Sequence, residues 1–340
     1  MCMATSLYGF QPRCVLVLST GGGGDVATAA MLAEALRRER VGTVIAASLW
    51  ERFVRDPAPG PIPLEALSGA EPIASGDAAR LSPGCSALRE GRLLEPAACK
   101  VASLLPIPVY AVNTWGGELS IRRAVEEIAG IHGCDALLDV DVGGDVLAEG
   151  HEEELWSPLG DSLGLAAAAN SGLPAVLAVH SLGADGELPE ERLLERIAQI
   201  ARSGGYRWIR GLDAIDLGLL EELFQHVETE AGKIALLAAR GQYGSTAIRG
   251  GTRVVRITVY QAATVFLNAR ETYEHTPPAK AVAGSSSLEE ARRRLNSIGV
   301  YTELDLEEDI HPYIVLGRLT PKKLLELRNV GRRRIQGASD

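Results

Sequence analysis

The sequence has no apolar run approaching the ~18 residues that a membrane-crossing helix requires, so no membrane partner is expected. It has no cationic surplus either. With 34 Lys and Arg against 44 Asp and Glu the net charge is −10, and a nucleic-acid partner is disfavoured because phosphate contacts need a basic surface. The basic residues that do cluster, Lys322, Lys323, Arg328, Arg332, Arg333 and Arg334, read as a solvated last helix whose cations suit its C-terminal dipole. There is no C-x-x-C pair among Cys2, Cys14, Cys85, Cys99 and Cys134. That spacing supports neither a zinc site nor a disulfide framework, and the cysteines are expected as buried free thiols. Met1 to Arg13 lacks a basic flank followed by an apolar stretch, so no signal peptide is expected and the cytoplasm is the expected compartment. No G-x-S-x-G, H-E-x-x-H or kinase signature is present, which removes support from triad-hydrolase, zincin and kinase readings.

What is present is a rhythm of apolar runs, glycine-bearing loops and amphipathic stretches. Cys14–Ser19, Thr43–Ser48, Val109–Asn113, Ala136–Val142 and Ala175–His180 read as strands. Runs this apolar are buried on both faces. Their alternation with helical stretches, such as Val26–Arg40, predicts right-handed βαβ crossovers. The predicted class is α/β: a Rossmann-like, mostly parallel, doubly wound sheet with a helical insertion. One domain over residues 1–340 is expected, because no linker is visible. The proline-rich stretch 55–108 reads as an excursion over the sheet edge, and 213–245 as the helical insertion. Arg253–Tyr260 alternates like a half-exposed strand, and Leu288–Ser297 is patterned as a charged amphipathic helix.

Three strand ends carry the same local sequence: Gly23-Gly24-Asp25, Gly116-Gly117-Glu118 and Gly143-Gly144-Asp145. In a parallel sheet such loops emerge on one edge, where open α/β folds bind ligands. Glycine permits close backbone approach and positive φ, and a helix N-terminus favours phosphate or carboxylate. The backbones of Gly22, Gly23, Gly24, Gly143 and Gly144 are therefore candidates to cradle an anion. Tight βα turns with acidic caps are the plainer alternative. Gly22-x-Gly24-x-x-Ala27, with Glu51 about 25 residues on, also fits a dinucleotide fingerprint and keeps NAD(P) as an alternative cofactor. Against it, Asp25 stands inside the loop and would repel a bare pyrophosphate, and no Lys follows to make a Walker pattern.

Acid is densest at Asp139-Val-Asp-Val-Gly-Gly-Asp145, followed by Glu149, His151, Glu152 and Glu153. Asp139 and Asp141 share a strand face. Asp25, Asp141 and Asp145 are the candidate ligands for Mg²⁺ or Mn²⁺, which take oxygen donors. Asp161 and Ser162 read as an N-cap pair or as substrate contacts. His180 and Glu51, both at strand ends, are the candidate base or orienting group beside Asp145. Arg52 could hold a polar ligand, and Ser19 and Thr20 could offer hydroxyls to phosphate.

GGGGDV at 21–26, Trp50-Glu51-Arg52 with Asp56-Pro57 and Pro59-Gly60-Pro61, DVGGDVLAEGHEEELWSPLGDS at 141–162 and Gly299-Val-Tyr-Thr-Glu-Leu-Asp305 together resemble a prokaryotic family known as a conserved domain of unknown function, number eleven-fifty-two. The resemblance spans most of the chain and implies archaeal or bacterial origin, but carries over no catalytic residues. The residues themselves suggest a metal-assisted enzyme acting on a phosphorylated or nucleotide-like small molecule. A metabolite-binding protein without turnover and an NAD(P)-dependent oxidoreductase are the alternatives, and a homo-oligomer is left open.

Overall fold

The computed structural model describes residues 2–337. Twelve strands form in chain order: β1 Cys14–Ser19, β2 Gly42–Ala47, β3 Leu67–Pro72, β4 Ala78–Arg89, β5 Arg92–Leu94, β6 Val109–Val112, β7 Ala136–Val142, β8 Ala175–His180, β9 Tyr206–Gly211, β10 Gly244–Ile248, β11 Arg253–Ile257 and β12 Ala263–Asn268. The fourteen helices are α1 Met3–Tyr8, α2 Gly23–Arg38, α3 Arg52–Arg55, α4 Ala97–Leu104, α5 Gly117–His132, α6 Pro158–Asn170, α7 Glu190–Arg202, α8 Ala214–His226, α9 Ala231–Ala239, α10 Ala269–Glu274, α11 Pro277–Val282, α12 Leu288–Ser297, α13 Glu303–Val315 and α14 Pro321–Gly337.

Ten strands make one sheet in the order β3-β4-β6-β2-β1-β7-β8-β12-β9, with β5 paired to β4. Its centre, β6-β2-β1-β7-β8, is parallel throughout. The fold is the α/β class expected, with a large, mostly parallel central sheet. Every residue of β1 and β7 is buried, because one apolar core fills each face of the sheet. Leu16, Leu18 and Leu137 pack on one side with α5 and α6, and Val15, Val17 and Leu138 on the other with α2. The helix α6 is Ala-rich and buried along almost its whole length. No helix among the described residues is long and apolar enough to cross a membrane.

Two expectations change here. The stretch 55–108 does not lie over the sheet edge but extends it, since β4 pairs antiparallel with β6 and with β3 and β5. Its prolines sit in the connections or at the strand margin, Pro72 ending β3, where a missing N–H costs least. The cysteines are not all free. Cys14 bonds Cys134 across 120 residues and Cys85 bonds Cys99, leaving Cys2 as the free thiol among the described residues. The first bridge forms because β1 and β7 are sheet neighbours, a proximity that no linear spacing encodes. By contrast, α12 spans the residues its charge pattern predicted, and 213–245 is largely helical through α8 and α9.

Candidate functional site

The order of the parallel strands fixes where a ligand can sit. The chain runs outward from β1 through β2 to β6, then crosses back to β7 on the other side of β1. The loops after β1 and β7 therefore diverge, leaving a crevice at the carboxyl ends of the strands. Ser19 pairs with Val140 and Val142 with His180, so these loops leave the sheet at one level. A cavity of about 640 Å³ opens there, within the range that holds a cofactor-sized molecule.

One wall of this cavity is acidic. Asp25, Asp141, Asp145, Asp161, Asp185 and Glu187 all line it, and all are buried. Asp141, Asp145 and Asp161 offer oxygens within 4.8 Å of one another, as do Asp145, Asp185 and Glu187. Burial, reinforced by the charges of their neighbours, pushes the Asp141, Asp145 and Asp161 carboxyls well above the usual range. Burial raises Asp25 to about 6, although the Val142 and Gly22 backbones donate to it, the former at 2.6 Å. Burial and the charge of Glu187 raise Asp185 to about 7. Glu187 is the exception. Against the cost of burial, the Arg253 charge and hydrogen bonds from Ser157 and Trp156 hold it low. Two carboxylate oxygens in this wall, Asp141 Oδ2 and Asp185 Oδ2, are buried without any hydrogen-bond partner.

The glycines explain how so many acids fit. A Cβ at Gly21 would collide with the Asp25 carboxylate, and one at Gly143 (φ +118°) with that of Asp185. A side chain at Gly144 would strike Leu193. The expected phosphate cradle is corrected accordingly at Gly143 and Gly144, which do not line the cavity and are glycine to admit neighbouring side chains. Gly22, Gly23 and Gly24 do line it, but the Gly22 backbone is directed at Asp25, and Gly23 and Gly24 press on Val227 and Thr229.

Opposite the acids stand Arg52, Arg55, Lys233, Arg249 and Arg253. Arg52 pairs with Glu303 at 2.9 Å and stacks on Trp50. Arg253 pairs with Glu187 at 2.9 Å and lies over one face of Trp156, with Arg328 over the ring at 4.3 Å. Among the described residues, the side chains of Lys233 and Arg249 make no ion pair or hydrogen bond, and Arg249 Nε is buried without a partner. Burial and the nearby Arg253 push the Arg249 guanidinium below its ordinary value.

Asp25, Asp141 and Asp145 are thus brought together as expected, and Glu51 lines the same cavity. However, Glu51 Oε1 accepts the Ala97 N–H at 2.7 Å and its other oxygen faces Arg55, so it is tied to the start of α4. The ribose contact of a dinucleotide site is then not free. His180 is fully buried, bonded to Thr264 and outside the cavity. Ser19 and Thr20 do not line it either. Glu118 is held by Gly284 and Arg122 on the far side of β1, so only two of the three repeated corners meet. Glu149 is paired with Arg192 and Arg196, and Glu152 caps Glu149 and Gly150, turning that acid run away. Nor is the basic tail simply solvated: Arg328 reaches inward to the carbonyls of Glu153 and Leu155. Sequence reasoning missed Asp185, Glu187, Lys233, Arg249 and Arg253. A signal existed for the first two, since Asp185-Gly186-Glu187 follows β8 as Asp145 follows β7.

Residues 16–311 match the family model described as Protein of unknown function (DUF1152). The chain belongs to this family. The family match takes in all six cavity carboxylates together with Lys233, Arg249 and Arg253, and stops before α14. No curated protein and no solved structure matches the chain.

Proposed function

We propose that this protein is a divalent-cation-dependent enzyme that hydrolyses or transfers a phosphoryl group of a phosphorylated or nucleotide-like small molecule. The observation that carries the reading is Asp141 Oδ2, a buried oxygen without a partner that stands among Asp145 and Asp161 across the cavity from the unpaired Lys233 and Arg249. An all-oxygen donor set of this kind suits Mg²⁺ or Mn²⁺ over softer metals. Such a cation supplies offset of phosphoryl charge and acidification of water. Lys233 and Arg249 would bind the outer phosphate oxygens, the guanidinium by its planar fork. Hydrolysis forms a bond from water oxygen to phosphorus and breaks the bond from phosphorus to the leaving oxygen. The proton lost by the water passes to a carboxylate, for which Asp25 is placed, and a proton returns to the leaving oxygen. Arg52 and Glu303 hold the rim of this site rigid. The cytoplasm is retained as its compartment in this proposal.

The test is phosphate release from a panel of nucleotides and sugar phosphates with Mn²⁺. Turnover should vanish with EDTA. It should fall more than about 100-fold in Asp145→Asn, since loss even of groups that merely support a metal ligand costs 10–100-fold. Thermal stabilisation by Mn²⁺ and substrate without turnover would instead favour a metabolite-binding protein, and stabilisation by NAD(P) alone an oxidoreductase.

A further inference from the structure

We infer that the acidic wall is built for two divalent cations sharing Asp145, one held with Asp141 and Asp161 and the other with Asp185 and Glu187. The inference rests on the metal-dependent reading above and adds to it the number of ions and the second ligand set.

Each trio independently satisfies the spacing a cation needs, and Asp145 is the member common to both. Each trio also contains its own unsatisfied oxygen: Asp141 Oδ2 in the first, Asp185 Oδ2 in the second. Asp141 is only 3% and Asp185 only 6% exposed, so solvent does not compensate either one. A buried carboxylate oxygen with no donor is costly, and one such atom in each trio points to one ligand in each.

The second trio is also held in place. Asp185 Oδ1 accepts the Glu187 N–H at 3.1 Å, which orients Oδ2 into the cavity, against a residue that must be glycine. Ser157 Oγ bridges the trio, reaching Glu187 Oε1 at 2.5 Å and Asp145 Oδ2 at 3.1 Å. The Ser157 hydroxyl is the group that yields when Glu187 ligates, because Arg253 remains fixed over Trp156.

Charge counting favours a pair. Among the described residues, Asp25, Asp141, Asp145, Asp161 and Asp185 make no ion pair with any Lys or Arg. The cations nearest them, Arg253 and Arg52, are taken by Glu187 and Glu303. One divalent ion offsets two of these five carboxylates and leaves Asp185 stranded; two ions offset four. Two ions about 3.5–4 Å apart also clamp the entering and leaving oxygens of an in-line displacement at phosphorus.

Mn²⁺ titration of the full chain by calorimetry and electron paramagnetic resonance decides the matter. The wild type should bind two Mn²⁺, with the spectrum of a spin-coupled pair at full loading. Asp185→Asn, which keeps the acceptor for the Glu187 N–H, should bind one with an uncoupled six-line spectrum. Asp145→Asn should weaken both sites by about tenfold or more. A wild type that saturates at one Mn²⁺, or an Asp185→Asn protein that still binds two, overturns the pair, and the wild-type count needs no variant to fold. One Mn²⁺ with phosphate release would sink the pair and leave the proposed activity standing. Two without any release would do the reverse.

Discussion

His180 ends β8 with its ring wholly inside the protein. Its Nδ1 shares a 2.8 Å hydrogen bond with Thr264 Oγ1, and its Nε2 has no partner. Burial, with a small contribution from Arg210, pushes this imidazole down to about 4 from the ordinary 6.5. The sign follows from linkage: between those values the unfolded chain binds the proton and the folded one does not, so acid favours unfolding. The contribution is therefore intact above about pH 6.5 and lost as the pH falls towards 4, by about 3 kcal/mol at 1.36 kcal/mol per pH unit. Urea unfolding of wild type and His180→Gln at pH 7, 6 and 5 should show their stability difference shifting against the wild type as the pH falls. A difference flat across that range would mean the ring is already protonated or exposed. Gly143 makes a second point at this scale. Its φ of +118° and the Asp185 carboxylate against its Cα predict that Gly143→Ala costs about 1–3 kcal/mol through backbone strain. The same change should lower Mn²⁺ affinity, because Asp185 must move.

Between elements, Glu303 is the joint that matters most. It opens α13, yet its carboxylate accepts the N–H groups of Leu159 and Gly160 at 2.9 and 2.8 Å, capping α6, and also pairs with Arg52. Removing it uncaps a buried helix and strands a buried guanidinium. Glu303→Ala should therefore cost about 3–5 kcal/mol, read from the urea midpoint. Glu303→Gln should recover part, since the amide oxygen still accepts. In a double-mutant cycle with Arg52→Met the losses should fall short of additive; strict additivity would show that the pair is not coupled. No local pattern announces the contact of Glu303 with Gly160, made across 143 residues. The same contrast divides what the sequence discloses from what it hides. Fully apolar runs such as Cys14–Ser19 and Ala136–Val142 can only be strands buried on both faces, and α12 shows its charged face plainly. The antiparallel edge is mixed in character and interrupted by proline, so β3, β4 and β5 read as loop, and half-exposed β9 carries no comparable signal. Asp25 and Asp145 were legible because glycine pairs precede them at strand ends. The corner at Gly116-Gly117-Glu118 has the same letters and a different role, since Gly117, at φ +67°, packs tightly on Ser285 ahead of α12.

At the scale of the molecule the two ends of the sheet do different work. The carboxyl ends of the central strands gather the buried acids, and their charge is confined to a cavity whose far wall is cationic. The net charge of −10 therefore says little about the ligand, which meets both signs. The opposite end carries structure instead. Cys14, the first residue of β1, is bonded to Cys134 just ahead of β7, with Cα atoms 4.2 Å apart, while Cys85 on β4 is bonded to Cys99 on α4 with 5.3 Å between Cα atoms. Neither bridge lines the cavity. A cross-link restricts the unfolded chain more as the loop it closes lengthens, giving about 3 kcal/mol for a loop near 15 residues and about 4.7 for one near 100. The bridge across 120 residues should then outweigh the one across 14. Paired serine substitutions should show this as a larger drop in the urea midpoint for Cys14→Ser with Cys134→Ser than for Cys85→Ser with Cys99→Ser. Both proteins should bind Mn²⁺ in the wild-type number, because the carboxylates are positioned by loops at the other edge of the sheet. Loss of Mn²⁺ binding in a protein that remains folded would show that the bridge and the acidic wall are coupled through β1 and β7. An unchanged midpoint would show that the bond constrains nothing that the paired strands do not already hold.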